Sequence, residues 1–119
     1  MALPIKSSVK MSLAQNLPLD IFALIGKAEN IEQAAAAMQA MSHPLRIKIL
    51  CLLSSGEMMV TDINEAVGST QSNISQHLAI LKATGIVTSR KDATKVLYRI
   101  EDARILQMIS LTREIFCSV

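Results

Sequence analysis

Two helical segments followed by two β-like segments lie between residues 59 and 100, and this order constrains the fold more than any other feature of the chain. The four segments are 59–68, 71–84, 86–91 and 95–100. Gly68 and Gly85 should end the two helical segments, because glycine accepts the left-handed conformation in which helices often stop. A helix, a turn, a second helix and a hairpin make up the winged helix-turn-helix. The sequence therefore predicts a mainly α-helical fold with a small β-hairpin wing.

The second helical segment has two chemically different faces. Ile74, Leu78 and Leu81 recur at helical spacing and should pack into a core. The first turns of the segment carry hydrogen-bonding side chains, namely Gln71, Ser72, Asn73, Ser75, Gln76 and His77. A recognition helix directs such groups at base edges and phosphates in the major groove, whereas the alternative is an ordinary solvated face. The hairpin that follows favours DNA reading, so we expect these six residues at an interface with double-stranded DNA.

Positive charge is concentrated on the same part of the chain. The whole sequence has a formal net charge of +2. Residues 69–100 contain one anionic residue, Asp92, and five cationic residues, which are Lys82, Arg90, Lys91, Lys95 and Arg99. This unit therefore carries +4 and the remainder carries −2, a distribution expected where phosphates are bound. We expect contacts with the DNA from Lys82 and from the residues that flank the wing tip, Arg90, Lys91 and Lys95.

Apolar helices are predicted on both sides of this reading unit. A central helix, about 42–53, is apolar almost all round and should lie in the middle of the domain. The first helix, starting near Pro18, and the last helix, about 102–117, carry more apolar surface than a small monomer covers easily. We therefore expect a helical homodimer formed through the first and last helices, with a two-fold symmetry that suits paired half-sites on DNA. The alternative is that both helices pack only on their own domain.

Polar residues mark where three of the helices should begin. Ser42 precedes the central helix, with Pro44 in its first turn, and Thr61 stands at the start of the first reading segment. Ser69 or Thr70 can cap the second reading segment. Side-chain oxygens at these positions can accept hydrogen bonds from the free backbone N–H groups of a first turn.

Length and composition bound the class of protein. With 119 residues, 50% of them hydrophobic, the chain is long enough for one compact domain. We expect that domain to span 17–119, behind a flexible N-terminal tail at 1–16. No apolar run approaches the roughly 20 residues of a membrane span. We therefore expect no membrane partner and a cytoplasmic location.

Four short motifs make the chain resemble the ArsR/SmtB family of bacterial winged-helix repressors. Residues 41–46 read MSHPLR, residues 72–81 read SNISQHLAIL, residues 85–87 read GIV and residues 98–100 read YRI. The resemblance covers about 19–117. It implies a homodimer that binds an inverted-repeat operator and usually represses its own operon.

The family divides by what its members sense, and the metal-sensing motifs are missing here. Arsenic and cadmium sensors of this family carry a Cys-x-Cys in the helix after the central one, where this chain has EMMVTD at 57–62. Zinc sensors carry Asp and His pairs along the last helix, where this chain has Asp102 and Glu114 but no histidine. The lone histidines, His43 and His77, lack the spacing of a zinc site. We therefore expect no metal site and no cofactor.

The two cysteines, Cys51 and Cys117, admit two interpretations. Cys51 lies in the apolar central helix and Cys117 ends the last helix, so each can be a small hydrophobic side chain without further function. One branch of the family, similar to the BigR, SqrR and HlyU regulators, has cysteines at both positions. Members of that branch sense reactive sulfur species or oxidants by linking the two thiols, directly or through extra sulfur atoms. The resemblance therefore implies a redox-sensing role for Cys51 and Cys117, with bridging that lowers operator affinity.

Enzyme chemistry has little support in the sequence. A thiol-disulfide enzyme would be expected to carry a Cys-x-x-Cys motif, which is absent. Ser72 or Ser75 with His77 would lack an acidic group to orient the histidine and a nucleophile-elbow motif. We therefore expect no catalysis, while a protein-interaction module built on the same winged helix is an alternative to DNA reading.

Overall fold

The computed structural model of the protein describes Ala23 and residues 26–117. In chain order the elements are the helices α1 (Ala28–Met41), α2 (Pro44–Leu53), α3 (Val60–Val67) and α4 (Gln71–Ala83), the strands β1 (Thr88–Asp92) and β2 (Lys95–Arg99), and the helix α5 (Ala103–Phe116). Among the described residues, these five helices and one hairpin confirm the predicted mainly α fold with a β-hairpin wing. The predicted tail at 1–16 and the predicted start of the first helix lie outside the described residues.

The chain divides into two units after Ala35, within α1. The first unit contains the opening turns of α1, where Glu29 complements the positive end of the helix dipole. Ile31 is exposed on this part of the helix. The second unit begins at Ala36 and holds the last turns of α1 together with α2 to α5 and the hairpin.

Helix α2 begins one residue later than its sequence suggested. His43 is the N-cap, and its Nδ1 accepts a hydrogen bond of 3.1 Å from the backbone N–H of Leu45. The prediction that Ser42 caps this helix was therefore wrong. Pro44 occupies the first helical position, where its missing N–H leaves no donor unsatisfied.

The two reading helices end and begin at a tight connection. Gly68 ends α3 with φ of 68°, as its sequence position predicted. Thr70 caps α4, and its Oγ1 accepts a hydrogen bond of 3.1 Å from the backbone N–H of Asn73. At the start of α3 the N-cap is Met59, which makes no side-chain cap. The expectation that Thr61 caps this helix was wrong, because α3 already begins at Val60.

The hairpin forms backbone hydrogen bonds with the chain segment that follows α2. Strands β1 and β2 are antiparallel, with Asp92 opposite Lys95, so a turn of two residues joins them. Met58 forms an isolated bridge to Tyr98. The backbone nitrogen of Met58 lies 3.0 Å from the carbonyl oxygen of Tyr98, and the reverse pair is 2.9 Å apart. The wing therefore has a third short backbone partner, which fixes its position beside the helices.

One core connects all these elements. Helix α2 contributes Ile49, Leu50 and Leu53, as expected for a central helix. The other large buried side chains are Ile63, Ile74, Leu78, Leu81, Ile86, Val87, Ile100 and Ile109. Ile86 and Val87, which the sequence placed in the first β-like segment, precede β1 and are buried in the core. None of the helices in the described part of the chain has the length and hydrophobicity that crossing a bilayer requires.

Candidate DNA interface and cysteine cavity

Helix α4 presents a polar face opposite its core face. Ile74, Leu78 and Leu81 are fully buried. On the other side Gln71, Ser72, Ser75 and Gln76 are exposed. Asn73 is half-buried, and its Nδ2 donates a hydrogen bond of 2.8 Å to the Ser69 hydroxyl. Four of the predicted DNA-binding side chains are therefore exposed, while the fifth also stabilises the start of the helix.

His77 has a different environment from the rest of that set. It is half-buried, and its Nδ1 lies 3.2 Å from Nη1 of Arg46 on α2. Its ring centroid is 4.6 Å from that of His43, with the two ring planes tilted by 37°. Burial lowers the pKa of the His77 imidazole, and the charges of His43 and Arg46 lower it further. The ring is thus engaged by α2.

The cations of the wing, and Lys82 near the end of α4, differ in whether other side chains already bind them. Arg90 makes a bidentate ion pair with Glu57, with Nε and Nη2 each 2.8 Å from a carboxylate oxygen. Lys82 donates a hydrogen bond of 2.6 Å from Nζ to the hydroxyl of Ser89. Lys91 and Lys95 are exposed at the wing tip, and no ion pair engages either of them within the described residues.

The two cysteines line the same cavity. Cys51 is half-buried on α2, and Cys117 is the exposed C-cap of α5. Both side chains border a space of about 170 Å³ between the end of α1, α2 and α5. The other lining residues are Met38, Met41, Ser42, Ile47, Met108, Ile109, Thr112 and Arg113. The cavity is thus mainly apolar, with the cationic Arg113 at its wall, and both thiols are free.

The two thiols lie in different surroundings and should therefore differ in reactivity. Burial raises the pKa of the Cys51 thiol, the Arg113 guanidinium opposes that shift, and the neighbouring Cys117 adds to it. A cysteine reacts as a thiolate, so a raised pKa keeps Cys51 in its less reactive form at neutral pH. Cys117 is exposed and therefore meets solutes first.

Helix α5 leaves a large apolar face uncovered. Leu111, Ile115 and Phe116 are 55%, 61% and 78% exposed. Met38, which borders the cysteine cavity from α1, is 64% exposed. Several large apolar side chains exposed on one helix are expected at an interface.

Three charged residues gain importance from the structure alone. Arg46 binds His77, Glu57 binds Arg90, and Arg113 lies beside the thiols. Arg46 had a visible signal, since it is one of two cations, with Lys48, in an otherwise apolar helix. Glu57 and Arg113 had none, because their partners lie far away in the sequence. The described residues contain no group of three or more His, Cys, Asp or Glu side chains that could hold a metal ion.

Known proteins share both the sequence and the fold of this chain. The model of the bacterial regulatory protein arsR family matches residues 43–89, from the cap of α2 into β1. The biofilm growth-associated repressor of Xylella fastidiosa is 31% identical over 86 residues, which are 72% of this chain and 75% of that protein. The chain belongs to the ArsR family. It is therefore a DNA-binding transcriptional regulator rather than an enzyme.

Solved structures of ArsR-type regulators resemble the chain over three quarters of its length. HlyU from Vibrio cholerae has a TM-score of 0.71 at 33% identity and covers 77% of this chain and 100% of its own. The repressor BigR from Xylella fastidiosa has a TM-score of 0.69 at 30% identity, covering 76% of this chain and 93% of its own. A homodimeric winged helix-turn-helix domain from Mycobacterium bovis has a TM-score of 0.70 at 31% identity, covering 74% and 82%. HlyU and BigR are members of the branch indicated by the resemblance.

Proposed function

We propose that this ArsR-family protein is a repressor that senses reactive sulfur species or oxidants through Cys51 and Cys117. The observation that carries the proposal is the position of both free thiols on the wall of one small cavity. The similarity to HlyU and BigR supports the same assignment. The reduced protein binds its operator, and bridging of the two thiols releases it.

The chemistry begins at the exposed thiol. The Cys117 thiolate attacks the outer sulfur of a persulfide R–S–SH, takes that sulfur as a persulfide of its own and releases R–SH. The Cys51 thiolate then attacks Sγ of Cys117, forms a disulfide and expels hydrosulfide. Two cysteine thiols are oxidised by two electrons while R–S–SH is reduced to a thiol and hydrogen sulfide. A second persulfide that adds its sulfur before closure gives a bridge with extra sulfur atoms.

The closing step should depend on pH through Cys51. Burial raises the pKa of this thiol, so only a small fraction is thiolate at neutral pH. The thiolate fraction increases as the pH rises toward the pKa, and the rate of bridging should increase with it. Bridging should therefore be slow in mildly acidic solution, even where Cys117 has already taken up a sulfur atom.

Bridging would act on DNA binding through the arrangement of two subunits. The bridge ties the end of α5 to α2, and α5 carries the exposed apolar face that we assign to a homodimer interface together with α1. A shift of α5 then changes the separation of the two reading helices without altering the inside of either one. Two helices that must enter successive major grooves tolerate little change in spacing.

The proposed DNA contacts follow the exposed polar face and the wing. Base edges of an inverted-repeat operator are read by Gln71, Ser72, Asn73, Ser75 and Gln76 on α4. Lys91 and Lys95 contact phosphates beside the groove. Lys82 and Arg90 reach the backbone when they exchange Ser89 and Glu57 for phosphate oxygens.

Operator binding before and after sulfur treatment tests the proposal. An operator is first selected from random duplex DNA with the reduced protein, and its affinity is measured by fluorescence anisotropy. Treatment of the wild-type protein with cysteine persulfide should weaken binding at least about tenfold, which is about 1.4 kcal/mol. Cys51→Ser and Cys117→Ser should bind like the reduced wild type and keep that affinity after treatment.

Peptide mass spectrometry of the same samples identifies the product. A cross-linked peptide that joins Cys51 to Cys117 within one chain is expected from treated wild type only. If treated wild type and treated Cys117→Ser release DNA to the same extent, the cysteines are inert and another signal controls this repressor.

A further inference from the structure

Three side chains connect the start of α2 to the middle of the recognition helix. Arg46 donates from Nε to the carbonyl oxygen of Ala40 at the end of α1. Its Nη1 lies 3.2 Å from Nδ1 of His77 on α4. The ring of His77 packs against the ring of His43, which caps α2. The cluster therefore links three helices at the back of the DNA-reading face.

The hydrogen bonds determine where the imidazole protons are. A guanidinium group has donors and no acceptor, so Nδ1 of His77 must accept the bond from Arg46. Nδ1 of His43 accepts the bond from the backbone N–H of Leu45. Neither Nδ1 can carry a proton in this arrangement. Both rings are therefore neutral, with their protons on Nε2.

Protonation of either ring conflicts with this geometry. A proton on Nδ1 of His77 would point at the Arg46 donor, and a proton on Nδ1 of His43 would remove the cap of α2. The titratable groups that face His77 are His43, the cap of α2, and Arg46 in its first turn, and no carboxylate of the described residues contributes there. From α1, the Ala40 carbonyl accepts a hydrogen bond from Nε of Arg46. An added positive charge would therefore have no anionic partner within the cluster.

We propose that His77 is a positioning residue for DNA reading: the neutral His43–His77 pair and Arg46 hold α4 on α2, and protonation of the pair weakens operator binding. This inference does not depend on the cysteines. The expected effect of acid on DNA affinity is opposite to that of a direct contact by His77. A histidine that contacts phosphate would strengthen binding when it becomes cationic.

The direction of the pH effect follows from the protonation states. The pKa of His77 is lowered in the folded protein, by burial first and by His43 and Arg46 next. The unfolded chain therefore binds more protons than the folded one as the pH falls. The stabilising contribution of the cluster is complete above the ordinary histidine pKa of 6.5. It is lost as the pH falls from there through the lowered pKa.

Nitrogen NMR of the imidazole rings tests the protonation states directly. The chain contains only two histidines, so the spectrum shows two sets of ring signals and residue-selective labelling is not needed. Both should show the Nε2-protonated tautomer at pH 7.5, and His77 should titrate below 6.5. A ring protonated at Nδ1 at neutral pH, for either histidine, would overturn the proposal.

Operator titrations of the reduced full-length protein then test the consequence. Affinities for the selected operator and for scrambled DNA are measured at pH 7.5 and 5.5 at constant ionic strength. The ratio of the two affinities should fall at least about tenfold for wild type at pH 5.5. The matched variant is His43→Asn/His77→Asn, because the Asn Oδ1 can accept where Nδ1 lies and does not titrate. Its ratio should change less than about twofold.

A third protein keeps the test decisive if the double variant is poorly folded. His43→Asn alone places a favoured N-cap residue at the start of α2 and removes the imidazole that packs against His77, so its loss of operator preference should be smaller than that of wild type. Affinities for both DNAs that rise on acidification would assign His77 to a phosphate contact at the DNA interface and overturn the proposal. A wild-type ratio that is the same at both pH values, or an equal fall in wild type and in the Asn variants, would also overturn the proposal.

Discussion

Helices α4 and α5 differ in how much of their apolar surface the fold covers. On α4, Ile74, Leu78 and Leu81 are all fully buried. On α5 only Ile109 is buried, although the helix is 14 residues long. The recognition helix α4 is therefore held by a closed core, whereas α5, which Cys117 caps, buries less apolar surface within its own chain.

This difference matches the two tasks that we propose for α4 and α5, DNA reading and sensing. A reading helix must keep its side chains in register with the bases, and a closed core fixes it. A sensing helix must change position for the energy of one covalent bridge, and a sparsely packed helix does so at lower cost. Local stability varies in this way within many folded domains, and moving elements come from the weaker part.

The largest effect is expected from a cavity in the closed core. Leu78→Ala should lower the free energy of unfolding by about 2–5 kcal/mol, since it removes a fully buried side chain. The matched change on α5, Leu111→Ala, should lower it by less, because Leu111 is 55% exposed. Chemical denaturation at one fixed protein concentration measures both. Equal losses would show that the two helices are packed alike.

Base discrimination should depend on the exposed face of the well-anchored helix. Gln76→Ala should reduce the preference for operator over scrambled DNA by about 1–3 kcal/mol if Gln76 makes a bidentate base contact. Competition titrations with both DNAs measure this preference. Equal weakening on both would reassign Gln76 to the backbone and leave sequence reading to its neighbours.

Association of two subunits should depend on the exposed face of the other helix. Leu111→Lys should raise the dimer dissociation constant at least tenfold, or about 1.4 kcal/mol, because a charge would be buried without a partner. Ser110→Lys is the control, since Ser110 is also exposed on α5. Sedimentation velocity separates monomer from dimer. A dimer that tolerates Leu111→Lys would place the interface elsewhere.

Substitutions in the wing should have a smaller effect on DNA binding, and the salt dependence should distinguish its cations. Lys91→Ala should reduce the slope of log affinity against log salt by about 1. Arg90→Ala should reduce it less, because Glu57 already binds the guanidinium. Glu57→Gln should steepen the slope, and it should not do so when combined with Arg90→Ala. Identical slopes for Lys91→Ala and Arg90→Ala would mean that DNA displaces Glu57 completely.

Local features of the fold were predictable from short stretches of sequence. Gly68 acts within its own turn, so residue type was enough to place it, whereas residue type narrowed the cap of α4 only to Ser69 or Thr70. The caps assigned to Ser42 and Thr61 were wrong, although they were predicted by the same kind of local rule. Both residues are good caps in general, but the adjacent His43 and Met59 occupy the cap positions once the apolar faces meet the core.

Features that depend on distant partners were not predictable. Arg46 meets His77 across 31 positions and Arg90 meets Glu57 across 33, and no spacing rule connects such pairs. The cysteine pair was suggested only by family resemblance. Its shared cavity depends on how α5 packs back on α2, which the sequence of neither helix specifies. The DNA contacts and the dimer helices are still predictions.

Amide hydrogen exchange of the reduced and the bridged protein tests most directly whether the sensor acts on α5 and leaves the reading helix intact. In the reduced protein, peptides from 103–117 should exchange faster than peptides from 71–83. Bridging Cys51 to Cys117 should slow exchange near the end of α5 and leave the buried turns of α4 unchanged. Equal changes in both helices, or no change in α5, would contradict the account.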